Sequence, residues 1–287
     1  MRLGLHALGI GTGARREVID AVAVAAEAAG FSTLWVGEHV VMVDRGASRY
    51  PYAPDGRIAV PADADWLDPM VALSFAAAAT REIRLATGVL LLPEHNPVTL
   101  AKQAASLDRL SHGRLALGIG VGWSQEEFAA LGVPFKRRGA RTDEYLAAMR
   151  TLWREDPASF TGEFVNFADI RVNPKPARNG RIPIIVGGNS DAALRRAART
   201  ADGWYGFNLS GTAHASERIT RLRSFCETGL RDASEVEIAV ALDHHPGPQD
   251  HDELAQIGVD ELVLVAAPPA DPAQANEWVR ALQPNRH

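Results

Sequence analysis

The stretch Leu115–Phe128 reads LALGIGVGWSQEEF. An apolar, strand-like run passes into glycines at alternate positions and then into a polar helix start. Junctions of this kind cradle phosphates in many nucleotide-binding proteins. Here Gly118, Gly120 and Gly122 are spaced G-x-G-x-G, and no acidic residue ends a following strand at the distance a ribose contact needs. The dinucleotide fingerprint is therefore absent. The glycines point instead to a strand end cleared of side chains, against which a flat ring can lie. Trp123 would then wall that space; the plainer alternative is that it packs under the next helix.

Outward from this stretch the chain repeats one pattern, a short β-branched or leucine-rich strand followed by an alanine-rich helix. Strands are expected at Arg2–His6, Thr33–Gly37, Ile83–Leu90, Leu115–Gly120, Ile184–Val186, Trp204–Phe207, Glu237–Leu242 and Glu261–Val265. Helices are expected at Arg16–Ala29, Pro69–Thr80, Pro97–Leu110, Asp191–Thr200, Ser216–Thr228, Asp250–Ile257 and Pro272–Leu282. Asp68 before Pro69 and Asn96 before Pro97 are N-cap and first-turn signals. After the fourth strand comes an excursion: helices at Gln125–Leu131 and Arg138–Trp153, then small strands and turns over Phe160–Pro176. Eight strand-then-helix units in 287 residues favour a closed (β/α)8 TIM barrel with an insertion after strand 4, an α/β fold, spanning 1–287 as one domain.

Composition narrows the partners. The chain is 46% hydrophobic and 23% charged with a net charge of −5, which argues against a nucleic-acid or membrane-surface partner. Its one cysteine, Cys226, allows no internal disulfide and fits a reducing cytoplasm. No signal peptide and no membrane-spanning run is expected.

In a barrel, chemistry sits at the C-terminal ends of the strands. Those ends carry His6, the Glu38-His39 pair, Thr87-Gly88-Val89, the run to Trp123, Gly187-Gly188-Asn189-Ser190 and Asn208. The fifth-strand loop is the best phosphate candidate, because two glycines admit close approach and Asn189-Ser190 open a helix. The competing reading is a glycine turn with an N-cap. His39 is the titratable group best placed to move a proton near neutral pH; otherwise it is a loop histidine held by Glu38 or a carbonyl. The loop Asp44–Trp66, with Tyr50 and Tyr52, is a candidate lid, and His6, Tyr50, Tyr52 and Asn208 are candidate substrate contacts. Arg137, Arg138 and Arg141 beside Asp143 and Glu144 are either ion-paired at a helix start or a basic lip for an anionic cofactor tail. The cluster DHHPGPQDH, with His244, His245 and His251, lacks ligand spacing for a metal. Cys226 lies mid-helix and reads as packing.

Four segments together, TLWVGEH, DRLSHGRLALGIGVGWSQEEFAALG, RGARTDEYLAAMRTLW and PIIVGGNSDAALRRAARTADGW, resemble the luciferase-like monooxygenase superfamily, and most of all its branch that uses the deazaflavin coenzyme F-420. The likeness runs over about Met1–Phe207. It implies a (β/α)8 barrel, often homodimeric, with the cofactor ring at the mouth and its phosphate at Gly187–Ser190. It also implies a non-proline cis peptide at Gly88-Val89 that backs the ring. The family's sugar-phosphate dehydrogenases carry a histidine matched by His39, a tryptophan shortly after it and a glutamate in the glycine stretch. Here Val40–Val43 follow His39, and Trp123 takes the glutamate's place. Only His39 carries over as a possible acid, and sugar-phosphate oxidation is not implied.

The leading expectation is an F-420-dependent oxidoreductase passing hydride between the deazaflavin and a small organic substrate. Glu38, His39, Thr87, Gly88, Val89, Gly120, Gly122, Trp123 and Gly187–Ser190 would contact the cofactor. The alternatives are a two-component FMN monooxygenase supplied by a reductase partner, and a non-catalytic flavin or deazaflavin carrier.

Overall fold

The computed structural model describes residues 1–283; the last four residues of the expected 1–287 span lie outside it. Eight parallel strands close on one another: β1 (Arg2–His6), β2 (Thr33–Val36), β3 (Arg84–Thr87), β5 (Leu115–Gly120), β8 (Ile184–Gly187), β9 (Gly203–Leu209), β10 (Glu237–Leu242) and β11 (Glu261–Val265). β11 returns to β1 with Arg2 opposite Glu261, and β3 pairs with β5, so the ring has no free edge. Helices α1 (Arg16–Ala28), α2 (Pro69–Ala79), α3 (Pro97–Leu110), α6 (Asp191–Thr200), α7 (Thr212–Thr228), α8 (Pro248–Gln256) and α9 (Ala275–Leu282) follow seven of the strands. The expected insertion follows β5: α4 (Gln125–Ala130), α5 (Arg138–Arg154) and an antiparallel hairpin of β6 (Ala158–Thr161) and β7 (Asn166–Ile170).

Period-two alternation sorts the strand residues into two cores. Leu34, Val36, Leu85, Leu117, Ile119, Ile184, Val186, Leu262 and Leu264 face the helices. Trp35, Ala86, Ala116, Ile185, Tyr205, Ala239, Ala241 and Val263 fill the barrel. Trp35 and Tyr205 stack with ring centroids 4.6 Å apart, and four alanines around them leave the volume two large rings require. Helix starts follow the caps expected from sequence. Asp68 accepts from Val71 N–H, and Asn96 accepts from Val98 and Thr99 N–H.

Two boundaries differ. The expected third strand Ile83–Leu90 is broken: β3 ends at Thr87, the Gly88–Val89 peptide is cis, and β4 (Leu90–Leu91) resumes against β5. The sixth helix begins at Thr212 and not at Ser216, because Gly211 turns the chain with φ +94° directly after β9. The remaining elements shift by a few residues at their ends.

Candidate active site at the barrel mouth

The top layer of the barrel is built around the break after β3. A methyl group on Gly118 would stand 1.9 Å from the Thr87 carbonyl oxygen, and one on Gly120 would stand 2.8 Å from Val89 Cγ2. One on Gly187 would stand 2.6 Å from Val89 Cγ1. The glycines therefore make room for the Thr87–Val89 bulge, and Val89 forms the floor of the mouth. This corrects the expectation that they clear space for a ring directly. Thr87 is fully buried, its hydroxyl donating to Gly118 O at 2.6 Å, so it clips β3 to β5 and meets no ligand. Gly122 has φ +75° and its open side faces Phe128 and Glu94, away from the mouth.

His39 follows β2 and is held from the insertion. Glu127, in α4, is fully buried; its Oε1 accepts Val40 N–H at 2.7 Å and Val41 N–H at 3.2 Å. Two backbone donors require an acceptor, so the carboxylate also takes the His39 Nδ1 proton at 2.8 Å. This fixes the tautomer and leaves Nε2 with no protein partner among the described residues. The ring stands edge-on to Trp66 (centroids 4.9 Å apart) and to Trp123 (5.7 Å). The partner of His39 is thus Glu127, not Glu38.

Glu38 does not face the mouth. Its carboxylate accepts Leu91 N–H at 2.6 Å and His95 Nε2–H at 3.0 Å, tying β2 to the restart after the bulge. A strand-end carboxylate buried on that side needs such donors. Burial opposes the charged form of His95, but the hydrogen bond and charge of Glu38 win and raise its pKa. Between these two pairs lies Glu94, 8% exposed, with neither carboxyl oxygen hydrogen-bonded. Burial, then the charges of Glu127 and Glu38, push its pKa up to about 9, so it is a neutral acid at pH 7. Sequence reasoning missed Glu94 and Glu127. The only signal for Glu127 was its place in the motif SQEEF after a serine cap; Glu94 carried none.

His6 lies one layer down, its Nδ1 3.4 Å from the Tyr205 hydroxyl and its ring next to Gly37 and Gly88. Burial lowers its pKa to about 4, so it is neutral. The loop from Asp44 to Trp66 covers the mouth. Tyr50 packs edge-on against Trp123 (5.3 Å) and Tyr52 (5.4 Å), and Tyr52 against Phe207 (5.7 Å). Asn208 Nδ2 donates to Tyr52 O at 2.7 Å, and Glu126 accepts Ala47 N–H at 2.6 Å. Asn208 is therefore a latch for the lid. Trp123 lies between the lid and His39, edge-on to Tyr50 and to the histidine ring.

At the fifth-strand loop, Gly188 has φ +116°, and a methyl group there would lie 3.4 Å from the Tyr52 hydroxyl. Ser190 caps α6 through Ala193 N–H, and Asn189 Nδ2 donates to Phe207 O. Asn189 Oδ1 and Arg218 Nε are buried without partners. A helix start with free N–H groups and two unpartnered polar atoms together fit a phosphate, while Val89, Trp123 and the tyrosines fit a flat ring. Asp191 puts a carboxylate in the same turn, but Arg195, Arg218 and Arg221 pair with it.

Of the expected basic lip, Arg137 pairs with Glu163, Arg141 donates to Pro134 O, and Arg138 donates to Gly122 O at 3.0 Å. All three are engaged within the protein. His244 pairs with Asp243 and Asp250 on the surface, and no group of three metal-ligating side chains occurs among the described residues. Cys226 is buried in the core. No helix is long and apolar enough to cross a membrane among the described residues.

The chain belongs to the luciferase-like monooxygenase family, whose profile matches residues 3–286, and is an oxidoreductase of that family. It is 38% identical over 263 residues to the uncharacterized protein Rv0953c of Mycobacterium tuberculosis, covering 91% of each chain. It is 29% identical over 196 residues to the FMNH(2)-dependent dimethylsulfone monooxygenase of Pseudomonas putida, covering 67% of this chain and 52% of that one. Three solved structures share the fold. An F-420-dependent secondary alcohol dehydrogenase has TM-score 0.76 and 16% identity, with 99% and 98% of the two chains covered. The F-420-dependent tetrahydromethanopterin reductase of Methanopyrus kandleri has TM-score 0.74 and 16% identity, with 97% and 96% covered. A type II Baeyer–Villiger monooxygenase of Pseudomonas putida, in complex with FMN, has TM-score 0.64 and 21% identity, with 84% and 66% covered.

Proposed function

We propose that this protein is an F-420-dependent oxidoreductase acting on a small organic substrate. The observation that carries the reading is His39, fixed by Glu127 with Nε2 unpartnered beside Trp123. The two F-420 enzymes match nearly end to end, whereas the FMN-bound monooxygenase extends well beyond the match, and this supports the deazaflavin over FMN. When bound, the deazaflavin would supply two-electron hydride chemistry. The residues do the rest. Val89 and Trp123 would back the ring, and Gly188, Asn189, Ser190 and Arg218 would hold the phosphate. With its Nδ1 proton held by Glu127, His39 presents the Nε2 lone pair to accept a proton or a hydrogen bond from the substrate. Tyr50 and Tyr52, latched through Asn208, exclude water.

The outer face of α2 supports the expected homodimer. Val71 (53% exposed) and Phe75 (41%) stand one turn apart on a helix whose one polar residue is Ser74.

Binding titrations of F-420 and FMN, each oxidised and reduced, test the reading. F-420 bound with FMN ignored supports it, and a His39→Ala variant should then keep binding but lose turnover. Preference for reduced FMN overturns it in favour of a monooxygenase fed by a reductase partner. Binding with no redox activity on any substrate, unaffected by His39→Ala, would leave a carrier.

A further inference from the structure

The far end of the barrel holds a second concentration of charge. β8 begins at Ile184 and α6 ends at Thr200, so these ends lie opposite the loop 187–190. The ten residues of α6 separate the two by about 15 Å. A cavity of about 300 Å³ opens there between the end of α5, the segment before β8 and the end of α6. Five arginines line it, Arg150, Arg154, Arg181, Arg199 and Arg231, against one carboxylate, Asp202.

Part of this is structural. Arg150 donates to Thr200 O, and Arg231 to Ala197 O at 3.2 Å and Ala198 O at 3.0 Å, capping the C-terminus of α6. A helix end presents about half a negative charge. Arg181 pairs with Asp202, Arg199 reaches outward to Asp143 at 2.9 Å, and Arg231 reaches Glu235 at 3.5 Å. Arg154 is exposed and has no hydrogen-bond or ion-pair partner among the described residues. Burial, and the repulsion of Arg154, Arg181 and Arg231 partly offset by Asp202, weaken the hold of Arg150 on its proton. Five guanidinium groups around one cavity, two of them (Arg150 and Arg154) with no carboxylate partner among the described residues, favour a bound anion.

We propose that this cavity is a binding site for a compact oligophosphate, a diphosphate group either free or carried on a small molecule. Guanidinium forks match phosphate oxygens in pairs, and several forks converging from different elements suit an anion with oxygens on every side. The site is independent of the cofactor reading at the mouth.

The test is calorimetric titration of the full chain with inorganic pyrophosphate and with ADP at low ionic strength. Saturable binding is expected, at least tenfold weaker in Arg154→Ala/Arg181→Ala and unchanged in Arg280→Gln on the exposed side of α9. It should weaken as salt rises. Equal affinity for the two probes means that the diphosphate alone is recognised, and tighter ADP means that its carrier is read as well. If the double variant loses its circular-dichroism spectrum, Arg154→Ala alone decides, with at least threefold weakening expected. Absence of binding by either probe, or affinity unchanged in the folded arginine variants, overturns the proposal and leaves these arginines as caps of α6.

Discussion

Glu94 makes the stability of this protein depend on pH in a way that one substitution should remove. Its carboxyl is buried between Glu127 and Glu38 with no donor to satisfy an ionised form. The folded protein keeps its proton up to about pH 9, whereas an ordinary glutamate releases it near 4.5. Between those values the folded chain holds one more proton here than the unfolded chain. Stability therefore falls as pH rises through that window. The slope is about 1.4 kcal/mol per pH unit, so the loss from pH 5 to pH 8 is about 4 kcal/mol. This is a ceiling, because water drawn in around an ionised Glu94 would lower the cost. Glu94→Gln keeps the shape and cannot ionise; its own unpartnered amide costs about 1–3 kcal/mol at every pH. Urea unfolding of both proteins at pH 5, 6, 7 and 8, followed by tryptophan fluorescence, separates the two effects. The variant should be level with or below the wild type at pH 5 and should gain on it steadily towards pH 8. His95 also titrates against the unfolded state, but it does so in both proteins and largely cancels in the difference. Parallel stability curves across the four pH values would refute the argument.

Three further outcomes are expected. Glu127→Ala removes the acceptor for His39 Nδ1 and for two backbone N–H groups, so turnover with the identified substrate should fall by about 100-fold. Cofactor Kd should change much less, and an equal loss in both would assign Glu127 to folding alone. Gly118→Ala forces a methyl group to within 1.9 Å of the Thr87 carbonyl and should cost about 3 kcal/mol or more, read as a fall in Tm; an unchanged Tm would mean that the bulge yields freely. Val71→Glu/Phe75→Glu should convert a dimer into a monomer in light scattering with the far-ultraviolet spectrum intact, and a wild type already monomeric would dismiss the α2 interface.

The barrel was legible because its signals are local. Alternation in Leu115–Gly120, the Asn96-Pro97 start of α3 and the regular strand–helix order each need only a few neighbouring residues, and all reappear in the structure. The break in the third strand was legible through family resemblance alone, since ATGVLL reads as one strand by periodicity. The mouth was only half legible. Positions at strand ends were placed correctly at the C-terminal face, but their facing was not. Glu38 and His39 are adjacent in sequence, and nothing in GEH tells which carboxylate the histidine will find. That depends on β2, the restart after β3 and α4 meeting, which brings residues 38, 94 and 127 together across 89 positions of chain. The same non-local packing explains the glycines. Gly118, Gly120 and Gly187 look alike whether they admit a ligand or a neighbouring strand, and only the positions of Thr87 and Val89 show that they admit the strand. A flat ring at this site would therefore rest on the Val89 side chain and not on bare backbone. Variation at position 89 should tune what the mouth accepts more directly than variation at any of the glycines, because the glycines are filled by Thr87 and Val89 themselves.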